Sequence, residues 1–178
     1  MIQMHSSKPI VRSNIALLVD GPNMRSHSYE INVPFSEVID TIWRTAESYG
    51  NIIEAVAYFG IKVRETPAII KYAIERGFDV LIGSASRETL DIDEKLIAEA
   101  ENYIKRNDID ILALASGDEH YLPLSKSARE HNKKLLLIYP PEHTSRELLE
   151  ASDMVAEIKF PNCTISPAAR PCSQSCHP

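Results

Sequence analysis

The stretch Asn14–Asn23, NIALLVDGPN, sets the reading of the whole chain. Ile15 to Val19 run without a polar break into Asp20, and Gly21-Pro22-Asn23 follow at once, residue types that turn the chain. A continuous apolar run predicts a strand buried on both faces rather than one half exposed to water. The carboxylate at its end is a second signal, because ligands of open parallel sheets bind beyond the carboxyl ends of the strands.

Working outward, the pattern recurs. Further strands are predicted at Ile52–Phe59, Asp79–Ile82, Asp110–Ala115, Lys134–Tyr139 and Met154–Ile158. Helices are predicted between them at Ser36–Tyr49, Pro67–Arg76, Asp93–Arg106 and His120–His131. Their signals are the Ser36/Glu37 opening, Pro67 in a first turn, and Gly50 and Gly77 just past two ends. Apolar strands alternating with amphipathic helices predict an α/β fold whose parallel sheet is joined by right-handed crossovers.

Composition bounds the rest. The chain has 178 residues, 44% hydrophobic and 25% charged, which suits one globular domain with a buried core. The expected organisation is a disordered leader at 1–13, the domain at 14–158 and a flexible tail at 159–178 that contains four prolines. No stretch reaches the roughly 18 to 20 apolar residues of a membrane span, and the first residues lack a signal-peptide core, so a cytoplasmic location without a membrane partner is expected. The net charge is −6, but Lys8, Arg12, Lys159 and Arg170 lie in the termini, leaving 15 basic against 25 acidic groups in 14–158, or −10. Binding nucleic acid by bulk charge is thus disfavoured. All three cysteines, Cys163, Cys172 and Cys176, lie in the tail, so no disulfide framework is expected.

Three acids follow predicted strands. Asp20 ends the first, Asp118 lies in Ser116-Gly117-Asp118-Glu119-His120 after the fourth, and Asp93 opens the helix after the third. In doubly wound orders the first and fourth strands meet at or near the point where strand order reverses, which brings Asp20 and Asp118 together. Each acid has an ordinary explanation: a turn residue at Asp20, a favourable charge at a helix start at Asp93, an N-cap at Asp118. Their convergence favours function. Carboxylates in one cleft repel unless a cation sits among them, and oxygen ligands suit Mg²⁺ or Mn²⁺. Such a centre suits hydrolysis of a phosphodiester. Arg25, His27, Lys62, Arg64, Arg87, His143 and Arg146 also follow strands and form a basic collar, although glutamates are interspersed among them.

The segments NIALLVDGPN (14–23), LDIDEKLIAEA (90–100), ILALASGDEHYLPL (111–124) and ASDMVAEI (151–158) resemble the NYN domain, a PIN-like ribonuclease fold. The resemblance implies a Rossmann-like three-layer α/β/α sandwich with a mostly parallel sheet, RNA as substrate, and metal-dependent endoribonuclease activity. It places the metal and the catalysis at Asp20, Asp93 and Asp118, and substrate contacts at Asn23 and Ser116, to which the collar adds Arg25 and Arg87. A homodimer is a further expectation from such small domains. One departure stands out: the family often reads Ser-Gly-Asp-x-Asp-Phe after the fourth strand, whereas this chain has His120-Tyr121 at the last two positions. The change removes one negative charge and one carboxylate ligand, and an imidazole is a poorer partner for Mg²⁺. Glu119 and His120 are therefore further candidates, and the alternative reading is a catalytically weak or inactive module that binds RNA. A receiver-like phosphoacceptor is disfavoured because Asp20 is alone in its turn, and a dinucleotide site because no Gly-x-Gly-x-x-Gly follows the first strand.

Overall fold

The computed structural model describes residues 12–60, 66–83 and 89–160. Six strands, β1 (Asn14–Asp20), β2 (Asn51–Gly60), β3 (Asp79–Gly83), β4 (Ile111–Ala115), β5 (Lys134–Tyr139) and β6 (Met154–Glu157), form one sheet in the order β3-β2-β1-β4-β5-β6. Every neighbouring pair is parallel. The chain winds outward from β1 to β3, returns to β4 beside β1 and winds outward again, so strand order reverses between β1 and β4.

Burial explains why the central strands β1 and β4 read as unbroken apolar runs. Ile15, Leu17 and Val19 of β1 point into one core, and Ala16 and Leu18 into the other; all five are 0% exposed. The first core is closed by α1 (Gly21–Glu30), α2 (Phe35–Tyr49) and α3 (Thr66–Arg76), through residues such as Met24, Ile39, Ile42 and Ala73. The second is closed by α4 (Thr89–Ile104), α5 (Leu122–Glu130) and α6 (Arg146–Ala151), through Leu96, Ile104, Leu124 and Leu148. This is the expected three-layer α/β/α sandwich, with a sheet parallel throughout.

Four helical features differ from the sequence expectation. Gly21-Pro22-Asn23 opens α1 rather than a simple turn: Asp20 caps the helix by accepting from the Asn23 N–H at 3.1 Å, and Pro22 occupies the first turn, where a missing N–H costs nothing. Gly21 is required there because a Cβ would collide with the Tyr58 carbonyl oxygen and the Phe59 ring. Next, α4 begins at Thr89, so Asp93 lies one turn inside the helix and not at its start. A 3₁₀ turn, Glu119–Tyr121, precedes α5, with Asp118 accepting from the His120 N–H at 3.0 Å. Finally, Ser145 caps α6, which is a single short helix of 6 residues with little periodicity to read.

No helix among the described residues is long and apolar enough to cross a membrane. Arg87, Lys62, Arg64, most of the leader and the cysteine-bearing part of the tail lie outside the described residues.

Candidate functional site

The register of β1 on β4 pairs Val19 with Ala115, so the next residues, Asp20 and Ser116, abut at the carboxyl edge of the sheet. Ser116 is 0% exposed, and its hydroxyl donates to Asp20 Oδ2 at 3.0 Å while accepting from the Asp118 N–H at 3.2 Å. Asn23 Oδ1 accepts from the Gly117 N–H at 3.1 Å, which ties the first turn of α1 to the loop after β4. A second tie runs from the Ser145 N–H to the Gly117 carbonyl at 2.9 Å. Gly117 has no room for a side chain, since a Cβ would meet the His143 carbonyl oxygen. The loop that carries Asp118 is therefore held from two sides.

Asp93, on the buried side of α4, reaches the same place. Its carboxylate, that of Asp118 and Nδ1 of His120 each offer one ligand atom, and these atoms lie within 4.8 Å of one another. Asp118 Oδ1 and His120 Nδ1 are 2.7 Å apart, and His120 Nδ1 is 3.9 Å from Asp93 Oδ2. The group grades outward from the buried Asp93 through the half-buried Asp118 to the exposed His120. Two hard oxygens and one imidazole nitrogen in this arrangement fit a divalent cation, with Mn²⁺ better suited than Mg²⁺ to the nitrogen.

Asp20 stands behind this group and is linked to it by Tyr121. The tyrosine is 0% exposed, and its hydroxyl lies 3.2 Å from Asp20 Oδ2 and 3.0 Å from Asp93 Oδ1. A hydroxyl has one proton to donate, so it serves one ionised carboxylate at a time, and the other contact is favourable only when that carboxyl is protonated. Burial pushes the Asp20 carboxyl from 3.8 up to about 6 against the opposing pull of the Asn23 N–H and the Ser116 hydroxyl, and the Asp93 charge adds to the rise. Asp93 is raised as well, first by burial and then by the charge of Asp118. Tyr121 is raised far above the ordinary tyrosine range, first by burial and then by the two acids. His120 is raised by its hydrogen bond to Asp118. Negative charge is thus expensive at this edge until a cation or protons offset it.

The structure brings together Asp93, Asp118 and His120, and joins Asp20 and Ser116 to them from behind. Glu119 is exposed and stands outside the group. Tyr121 was missed as part of the site; the signal was its hydroxyl at a position where the family pattern has phenylalanine. The basic collar is largely engaged locally. Arg25 Nη2 donates to the Tyr29 hydroxyl at 2.6 Å, His143 pairs with Glu30 at 2.7 Å and Arg146 with Glu150 at 2.7 Å. His27 is buried with Nδ1 lacking a hydrogen-bond partner, and burial lowers its pKa, so it is a neutral packing residue and no cation.

Comparison with known proteins bears on the family and the fold. Residues 14–159 match the NYN domain family. A curated relative, an uncharacterized protein of Methanocaldococcus jannaschii, is 27% identical over 144 residues, which cover 81% of this chain and 55% of the relative. The chain thus spans about half the length of that relative. Among solved structures, a protein of unknown function from Vibrio parahaemolyticus superposes with a TM-score of 0.68 at 20% identity, covering 86% of this chain and 97% of that one, and so shares the fold. With the family matched over residues 14–159 and the sheet and switch point in place, the chain belongs to the NYN domain family, a PIN-like ribonuclease family.

Proposed function

We propose that the protein is an endoribonuclease that hydrolyses RNA phosphodiesters with Mg²⁺ or Mn²⁺ held by Asp93, Asp118 and His120. The observation that carries this reading is the convergence of those three side chains within 4.8 Å at the β1/β4 switch point, with a fourth group, Asp20, buried behind them. A cation bound there supplies polarisation of a phosphoryl oxygen and a lowered pKa for an attacking water. Residues 14–158 form the acting unit, RNA is its partner and the cytoplasm its place.

The chain's own residues do the rest. Asp118 is held in place by the Ser116 hydroxyl and by Asn23 through Gly117, so its carboxylate faces Asp93 without needing to be ordered on substrate binding. Asp20, near 6, lies in the range where a carboxyl exchanges protons close to neutrality. The Tyr121 hydroxyl connects Asp93 Oδ1 to Asp20 Oδ2, so a proton displaced from one acid has a path to the other. Arg25 and Arg87 are the groups proposed to meet the phosphates of the strand.

One observation favours the alternative, a weak or inactive module. His120 Nδ1 sits 2.7 Å from Asp118 and its pKa is raised, so a protonated His120 already neutralises the carboxylate that a cation would use. The deciding experiment is cleavage of a single-stranded RNA with and without Mg²⁺ or Mn²⁺, by wild type, Asp118→Asn and His120→Asp. Metal-dependent cleavage lost in Asp118→Asn supports the enzyme. Cleavage that arises only in His120→Asp supports the alternative, and an RNA left intact by all three removes the ribonuclease reading.

A further inference from the structure

Away from the acidic group, α1 has a ridge that lies outside both cores. Arg25 and Tyr29 stand one turn apart on it. Arg25 Nε and Nη2 donate to the Tyr29 hydroxyl at 3.1 and 2.6 Å, and the guanidinium lies 5.2 Å from the Tyr29 ring centroid. The ring is nonetheless 59% exposed, the largest exposure of any large apolar side chain among the described residues. Beyond it the chain reverses through Asn32, which takes a φ of 53°, and returns along Val33 to Phe35. Together with Ile69 of α3 these residues enclose a cavity of about 300 Å³.

The chemistry of that cavity is specific. Its floor is apolar, with Val33 and Phe35 buried, and its rim carries an aromatic face, a guanidinium and the Asn32 side-chain amide, which both donates and accepts. An aromatic platform backed by an arginine, above a small pocket with an amide at its edge, matches a nucleobase taken out of its stack. The volume is at the lower limit of small-ligand sites and has room for one such base and not for a paired stack. One helix carries both features: Asp20 caps the first turn of α1 and Tyr29 lies in its last, roughly 13 Å away along the axis at 1.5 Å per residue. A single strand of roughly four or more nucleotides covers such a span. Stacking also suits a domain of net −10, in which binding RNA by bulk charge is disfavoured.

We infer that the cavity beside Tyr29 binds one unstacked base of a single-stranded RNA whose backbone runs on to the acidic group. The inference rests on the ribonuclease reading of that group and names its substrate as single-stranded. Tyr29 supplies the stacking face, Arg25 holds the ring and adds positive charge for the neighbouring phosphate, and Asn32 meets the base edge.

The test is affinity for a labelled single-stranded RNA of about eight nucleotides, measured by fluorescence anisotropy in chelator on the full chain, so that cleavage plays no part. Tyr29→Ala is expected to weaken binding roughly ten-fold, and Tyr29→Phe, which keeps the ring, much less. Because Tyr29 is exposed, neither change threatens the fold, and Ile69→Trp, which fills the cavity from α3, provides an independent loss. One abasic nucleotide in the strand should weaken wild type by the same factor at a single position and leave Tyr29→Ala unaffected. A duplex of the same sequence and a mononucleotide should both bind far more weakly than the strand. The inference is overturned by wild-type affinity in Tyr29→Ala, by a flat abasic scan, by equal binding of the duplex or the mononucleotide, or by no RNA binding at all. Tyr29-dependent binding without metal-dependent cleavage removes the ribonuclease reading alone, whereas Asp118-dependent cleavage with Tyr29-independent binding removes this subsite alone.

Discussion

The two ends of the central strands treat their charges in opposite ways. At the amino end, Arg106 grips Asp108 with Nε and Nη2 at 3.0 and 2.7 Å and reaches Glu54 with Nη1 at 2.5 Å. Asn14 meets Asp110 and the Asp108 carbonyl at 2.8 and 2.9 Å. The Arg106 guanidinium holds Asp108 below the usual carboxylate range. At the carboxyl end Asp20, Asp93 and Asp118 crowd around one tyrosine hydroxyl and one histidine, and Asp20 and Asp93 are pushed upward. The acids at one end are matched with bases, while ionising Asp20 and Asp93 at the other opposes folding, and such perturbed groups cluster at functional sites.

The comparison can be broken by mutation. The largest effect is expected from Asp118→Asn, which should lower metal-dependent RNA cleavage at least roughly a hundred-fold in an initial-rate assay, with little change in Tm. The next is Asp20→Asn. Because the folded pKa of Asp20 lies above its ordinary 3.8, its favourable contribution is complete below about pH 3.8 and is lost as pH rises through about 6. In chelator Asp20→Asn should therefore gain stability over wild type between pH 4 and pH 8, by up to about 3 kcal/mol in urea unfolding. Mn²⁺ should narrow that gap by stabilising wild type. A gap independent of pH would show that Asp20 is as well matched as the acids of the amino end.

Tyr121→Phe keeps the buried ring and deletes the shared donor. It should cost about 1 kcal/mol of stability, and the loss should shrink as pH rises through about 6, where Asp20 ionises and can no longer donate to the hydroxyl. The smallest effect belongs to the amino end: Arg106→Met should lower Tm by no more than a few degrees and leave cleavage unchanged. A large loss of cleavage there would dissolve the distinction between the two ends.

Much of the fold was legible in the sequence because it is written locally. The apolar runs of β1 and β5 mark both strands to the residue, and β2 and β4 to within a residue or so; burial on both faces leaves β1 and β4 without a polar interruption before their ends, while β2 admits Glu54 in its half-exposed first half. The start of α1 was not legible, because Gly-Pro-Asn suits a turn and a capped helix equally, and what selects the helix is the Tyr58 carbonyl beneath Gly21. His120 read as a lost ligand, since an imidazole is a poor substitute for a carboxylate in chemistry alone. In space it stands beside Asp93 and Asp118, because the 3₁₀ turn aims it back across the edge.

By itself the sequence determined the strands, the helices α2 to α5, the family and the acids that end β1 and follow β4, all of which depend on residues near one another in the chain. Only the tertiary structure decided that Tyr121 sits between Asp20, 101 residues away, and Asp93, 28 residues away. It likewise decided that Asp20 is buried behind the group of Asp93, Asp118 and His120 and that Tyr29 overlooks a cavity lined in part by another helix. The physical reason is that contacts across such separations depend on the sheet order β3-β2-β1-β4-β5-β6 and on how the helices pack over it, and no short-range pattern in the chain encodes which side chains then meet.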